Sequence, residues 1–281
     1  MIYRTEQVMV KSAAIIFFIL CGLLCSQESN ACSVLYYVDP NTGKIYVANN
    51  EDYWYDVYAY IQIMPGSRNK LARLWYGWDD FAQGGINEAG LFFDGAVSPE
   101  QETTEGGHGP KGNLGDDILA RCRTVDEALM MLEDKKIALD KAHMMIGDSS
   151  GHAVVVEWLD GQRKIVPLAN NHLIMTNFLL SDPSRGNHPC PRYQSIENRV
   201  NQLEETGQAI DLRSIGNAMA GAIQLPRALE DERVGGTLYS SFINVTDMEF
   251  ILVYKLNNTK VTRLDLKAEF QGRDRKKIYL N

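Results

Sequence analysis

Cys32 is the residue whose position holds the most chemistry. It directly follows Ala31, and Ser29 and Ala31 supply the small side chains at −3 and −1 that signal peptidase accepts. Cleavage there makes the cysteine the first residue of the mature chain. One residue then carries a thiol nucleophile and an α-amine base, with ordinary pKa values of about 8.5 and about 8. Removal of the leader would itself create an active site. Arg4 and Lys11 supply a basic start, and residues 13–25 (AAIIFFILCGLLC) form an uncharged apolar run. That run has signal-peptide length and falls short of the ~20 residues that span a bilayer. The expected organisation is a signal peptide over 1–31 and a single catalytic domain over 32–281, secreted or periplasmic. The rival reading is a lipoprotein lipidated on the Cys32 sulfur, but Ser29-Asn30-Ala31 lacks a Leu-rich approach.

Composition bounds the remainder. The 281 residues are 45% hydrophobic and 23% charged with a net charge of −8, a globular balance. An acidic chain without a basic run is a poor nucleic-acid binder. Beyond the leader the cysteines are Cys32, Cys122 and Cys190; an odd count leaves at least one thiol unpaired, and Cys122 and Cys190 could pair or stay reduced. His108, His143, His152, His172 and His188 are scattered, with no H-x-x-x-H or C-x-x-C and no phosphate-cradling loop. If the chain is an enzyme, the cysteine must carry the chemistry.

The elements that would position it read as strands at both ends with helices between. Residues 33–38 and 44–49 flank Asp39-Pro-Asn-Thr-Gly43, a hairpin signal, so the mature N-terminus starts a strand. A helix is predicted from Thr124, where Thr-Val-Asp-Glu127 fits a capping box, with a shorter one over 116–123. Residues 142–147 and 152–159 form a second hairpin, 173–176 a strand, 193–205 and 212–223 helices, and 237–244 with 249–256 a last hairpin. Layered α+β packing follows, sheet on sheet with helices outside.

The mature chain resembles the N-terminal nucleophile (Ntn) hydrolases of the choloylglycine hydrolase type, which include bile salt hydrolases, penicillin V acylases and a related acyltransferase branch. The resemblance runs in order through Cys32, Asn49-Asn-Glu-Asp52, Gly85-Ile-Asn-Glu-Ala-Gly-Leu91, Met145-Ile-Gly-Asp-Ser-Ser-Gly151 leading into Val154-Val-Val-Glu157, Thr176-Asn177, Pro191-Arg-Tyr193 and Thr237-Leu-Tyr-Ser240. It implies an αββα sandwich and catalysis without a cofactor. It also implies Asp52 as acceptor from the nucleophile's amine, Asn177 as oxyanion donor and Arg192 as a positive charge near the thiol, where it would lower the thiol pKa. Two positions depart from the family. Its arginine is Asn49 here, and the second oxyanion asparagine of bile salt hydrolases falls at Val97, where a backbone N–H would have to serve. Aromatics between Tyr53 and Trp78, Trp54 among them, are mostly core residues, and some could line an apolar acyl pocket.

The expected function is hydrolysis of a linear, non-peptide C–N amide in a small N-acyl substrate, through a thioester on Cys32. The α-amine would take the thiol proton and return it to the leaving nitrogen. An acyltransferase, or a non-catalytic exported binding protein, is the alternative. No membrane span or nucleic-acid partner is expected, and a homo-oligomer is compatible with the sequence.

Overall fold

The computed structural model describes residues 32–102, 105–228 and 232–281; the expected leader lies outside the described residues. Two antiparallel sheets form its centre. The seven-stranded sheet runs in the order β10 (His172–Met175), β1 (Ser33–Val38), β2 (Ile45–Trp54), β12 (Val234–Asn244), β13 (Glu249–Tyr254), β14 (Val261–Asp265), with β11 (Arg227–Ala228) beside β12. The eight-stranded sheet runs β15 (Lys276–Tyr279), β3 (Tyr60–Met64), β4 (Arg73–Trp78), β5 (Phe81–Asn87), β6 (Phe92–Val97), β7 (Ala142–Gly147), β8 (Ala153–Leu159), β9 (Gln162–Pro167).

Strand periodicity decides which side chains meet. Val34, Val47, Leu238 and Leu252 of the first sheet pack on Ile61, Leu74, Phe92, Met145 and Val155 of the second, forming the central core. The opposite face of the eight-stranded sheet, with Trp75, Phe93, Ile146 and Val156, is covered by α1 (Leu114–Arg121) and α2 (Val125–Asp134) through Leu119 and Leu132. The opposite face of the seven-stranded sheet, with Leu35, Tyr46 and Ala48, is covered by α3 (Pro191–Thr206) and α4 (Leu212–Met219) through Ile196, Val200 and Ile215. The result is the four-layer αββα sandwich. Each fully buried Val, Leu or Ile contributes roughly 1.5–3 kcal/mol, so three such interfaces dominate the stability. No helix among the described residues is long and apolar enough to cross a membrane.

Local signals act where the sequence places them. Thr124 caps α2 by accepting from the Glu127 backbone N–H, and Asn113 and Asp211 cap α1 and α4 in the same way. Two of the family segments turn out to be structural joints. Asn87 accepts from the backbone N–H groups of Ala89 and Leu91 at 3.0 Å and donates to the carbonyls of Leu119 and Cys122 at 2.9 and 2.7 Å, tying the β5–β6 turn to the end of α1. Asp148 accepts from Val125 N–H at 2.9 Å at the start of α2 and from Ser150 within its own turn.

The expected set of strands is incomplete. Residues 60–97 contribute β3 to β6, the middle of the larger sheet. These strands are buried on both faces, so their sequence lacks the polar alternation that marks a half-exposed strand. Cys122 and Cys190 do not pair: all three described cysteines are buried free thiols, Cys122 packed in the α1–α2 layer and Cys190 beside Thr176.

Candidate active site

Cys32 precedes the first residue of β1 and is only 5% exposed. Its side chain belongs to the core between the sheets, on the same side of the strand as Val34 and Tyr36, whereas Ser33 faces the helices. Strand β2 runs beside β1, pairing Ser33 with Asn50. Alternation along β2 places Asn49 and Glu51 on the inner side with Val47, and Asn50 and Asp52 toward the helix layer. The site is therefore built from both faces of one strand.

On the helix side, Asp52 accepts from the Thr237 hydroxyl at 2.5 Å through Oδ1. Thr237 stands at a β-bulge: it opposes Asp52, while Tyr239 opposes Glu51, so two residues of β12 are aimed at successive residues of β2. Arg192, on the first turn of α3 behind Pro191, donates to the Cys32 carbonyl at 2.9 Å, the Ser33 hydroxyl at 3.0 Å and Asn177 Oδ1 at 2.9 Å, and lies 3.9 Å from Asp52 Oδ2. Asn177, just past β10, donates from Nδ2 to the Val97 carbonyl at 2.7 Å. His143 holds the end of that strand: its ring nitrogens lie 3.2 Å from Glu157 Oε1 and 2.6 Å from the Thr176 carbonyl, and Glu157 also accepts from the backbone of Leu180 and Ser181. The fold thus brings Cys32, Asp52, Asn177 and Arg192 together.

Asp52 Oδ2 is buried and has no hydrogen-bond partner among the described residues. Burial pushes the Asp52 carboxyl up to about 8, against the Thr237 hydroxyl and the Arg192 guanidinium, which lower it. The Cys32 thiol is itself raised well above its usual range, first by burial and then by the charges of Glu51 and Asp52, while a hydrogen bond from the Asp52 backbone favours the thiolate.

On the inner side lies a carboxyl cluster that the sequence did not reveal. The Cys32 thiol donates to Glu51 Oε1 at 3.2 Å; Asn49 Nδ2 reaches Glu51 Oε2 at 3.3 Å and Asp94 Oδ2 at 2.7 Å; Tyr76 donates to Asp94 Oδ2 at 2.8 Å. Glu51 is raised to about 7 and Asp94 well above its usual range, each chiefly by burial. Gly84 makes room for this cluster, since a Cβ there would stand 2.1 Å from Asp94 Oδ2. Two features of the sequence bear on it, the inward parity of residue 51 in a strand longer than expected and a lone carboxylate in Phe-Phe-Asp94-Gly-Ala-Val, but neither pairs Glu51 with the sulfur or Asp94 with Asn49.

The sulfur, Glu51 and Asp52 border a cavity of about 400 Å³ walled by Tyr53, Trp78, Phe81, Phe93, Leu114, Leu139 and Met144, with no Lys or Arg among the described residues lining it. Val97 lines its rim, 46% exposed, and reaches Asn177 with its carbonyl. Asn49 lies beneath the sulfur instead of on the cavity wall, and Trp54 lies outside, under the Arg233 guanidinium at 4.4 Å; the adjacent Tyr53 takes the wall position. No group of three or more His, Cys, Asp or Glu residues suited to a metal ion occurs among the described residues.

No curated protein sequence matches the chain. Among solved structures it is similar to a mutant of the conjugated bile acid hydrolase from Clostridium perfringens, with TM-score 0.69 and 17% identity over 89% of this chain and 97% of that one. It is also similar to penicillin V acylase from Agrobacterium tumefaciens, with TM-score 0.67 and 18% identity over 88% and 90%. At such identity the likeness establishes the Ntn-hydrolase fold. The model of the acyl-coenzyme A:6-aminopenicillanic acid acyl-transferase family matches residues 38–262. Since that match spans most of its length, the chain belongs to the acyl-coenzyme A:6-aminopenicillanic acid acyl-transferase family, on the fold of the Ntn hydrolases.

Proposed function

We propose that the mature chain cleaves a linear C–N amide through a thioester on Cys32, acting on a small substrate with an uncharged, apolar acyl group. The observation that carries this reading is that the Cys32 sulfur and the Asp52 oxygen, which has no partner among the described residues, border one apolar cavity, while the Arg192–Asn177 pair holds the Cys32 carbonyl and the Val97 rim. Cleavage after Ala31 would place an α-ammonium against Asp52. The acyl chain enters between Tyr53, Trp78 and Phe93, and the thiolate attacks the carbonyl carbon. Val97 orients the Asn177 amide through its carbonyl, and in this reading the Asn177 side chain is the oxyanion donor. The α-ammonium protonates the leaving nitrogen, and the resulting amine then takes a proton from the water that resolves the thioester.

The family match favours a second reading at the same site, in which an amine such as 6-aminopenicillanic acid replaces that water. A panel of neutral and anionic N-acyl amides, assayed on chain beginning at Cys32 with and without acceptor amines, tests both. Expected are amide cleavage, a stoichiometric acyl adduct on Cys32 by mass spectrometry, and loss of both in Cys32→Ala. Turnover by folded Cys32→Ala would overturn the assignment.

A further inference from the structure

Glu51 is not used by the reaction outlined above, yet it is the only side chain to which the described structure gives a hydrogen bond from the Cys32 sulfur, at 3.2 Å. We infer that Glu51 is a catalytic base: it accepts the Cys32 thiol proton as the sulfur attacks and holds it until the thioester is resolved. The inference rests on the thioester reading for its later steps, but its first step concerns the free enzyme alone.

The step balances. As the S–C bond forms, the S–H proton moves to Glu51 Oε1, leaving a neutral carboxyl beside the acyl-enzyme. The leaving nitrogen takes its proton from the α-ammonium, and the water proton regenerates that ammonium. When the C–S bond breaks, Glu51 returns its proton to the thiolate. Amide and water become acid and amine with every group restored.

Geometry and electrostatics agree. Glu51 is anchored by Asn49 through its second oxygen, so Oε1 stays directed at the sulfur. Four titratable groups face it from the surrounding strands besides Cys32: Asp52 of its own strand, Asp94 of β6, Tyr76 of β4 and Tyr239 of β12. Burial holds both tyrosines well above their usual range, so neither adds a charge at neutral pH. The Arg192 guanidinium lies across the strand, with Asp52. A carboxyl raised by burial to about 7 suits a proton acceptor working near neutral pH. This arrangement also accounts for Asn49: an arginine there would hold Glu51 ionised and unable to keep a proton, whereas a neutral amide anchors it without charge.

The alternative is that Glu51 is merely a buried charge that opposes the thiolate, and the two cases differ in sign. Iodoacetamide alkylation of Cys32 against pH needs no substrate, so it can fail separately from the amide-cleavage reading. Cys122→Ser/Cys190→Ser background and peptide mapping confine the readout to Cys32. If Glu51 is the base, the wild-type rate rises with a midpoint near 7, and the rise persists when an uncleavable residue precedes Cys32. Glu51→Gln then slows alkylation at pH 7.5 by about 10-fold or more and leaves only a rise at high pH, while Glu51→Asp keeps part of the neutral rise. A wild-type profile that rises only above pH 9, loss of the neutral rise on blocking the amine, or faster alkylation in Glu51→Gln would each overturn the inference. The first two need no variant at Glu51, so a misfolded Glu51→Gln cannot shelter it.

Discussion

Each buried carboxyl near the sulfur costs stability when it ionises, because burial disfavours its charge. Glu51 has an ordinary unfolded value of about 4.3 and is raised to about 7 in the fold. Between those values the folded state binds more protons than the unfolded state, so stability falls as pH rises through that window and levels off above it. Asp94 shifts in the same direction and adds to the slope. Surface carboxylates such as Asp211 and Asp247, held below their usual range by hydrogen bonds from Ser214 and Lys44 respectively, have finished titrating before the window opens. Thermal melts should therefore show a lower Tm at pH 8 than at pH 5. In Asp94→Asn the drop should shrink, because the neutral amide removes one titrating group and the charge that opposes ionisation of Glu51. An equal drop in wild type and variant would mean that the cluster does not titrate across this range.

At the scale of elements, positioning falls to joints that touch no substrate. Asn87 makes four hydrogen bonds that fasten the β5–β6 turn to the end of α1. Asn87→Ala would leave the carbonyls of Leu119 and Cys122 and the turn N–H groups without these partners, a loss of about 2–4 kcal/mol. The expected outcome is a lower Tm with the Cys32 alkylation profile retained at low temperature, since Cys32 and Glu51 belong to the other sheet. A changed alkylation profile in a folded variant would show that the turn reaches the sulfur. The β12 bulge acts closer to the chemistry, because it lets Thr237 grip Asp52 while Tyr239 meets Glu51.

Over the whole molecule, the expected leader and the two-sided site make distinct demands. In the proposed reaction the α-amine lies outside the hydrogen bond between the thiol and Glu51 and serves to protonate the leaving nitrogen. A chain that keeps its leader, or carries an uncleavable tag before Cys32, should therefore be folded and still alkylate at Cys32, yet cleave no amide; trimming to Cys32 should restore turnover. Equal turnover by blocked and trimmed protein would remove the amine from the mechanism. The cavity adds a constraint on substrate charge. Glu51 and Asp52 at its floor, a lining without described Lys or Arg, and a net charge of −8 all disfavour an anionic acyl group.

The parts that could be read from the chain were those set by short-range chemistry. Pro40 and Gly43 dictate the first turn, and Thr124 and Glu127 start α2. The ordered motifs pointed to Cys32, Asp52, Asn177 and Arg192, which the structure brings together, Arg192 hydrogen-bonding Cys32 and Asn177 and lying 3.9 Å from Asp52. Strands β3 to β6 escaped notice because burial on both faces erases the alternation that identifies a strand. The pairing of Glu51 with the sulfur, and the link through Asn49 to Asp94 and Tyr76, had no local signature. Asn49 belongs to one sheet and Asp94 and Tyr76 to the other, so only face-to-face packing of the two sheets sets their distance. Local sequence can specify a turn or a cap, but the link from Asn49 beside the thiol's acceptor to Asp94 exists only once the two sheets have packed face to face.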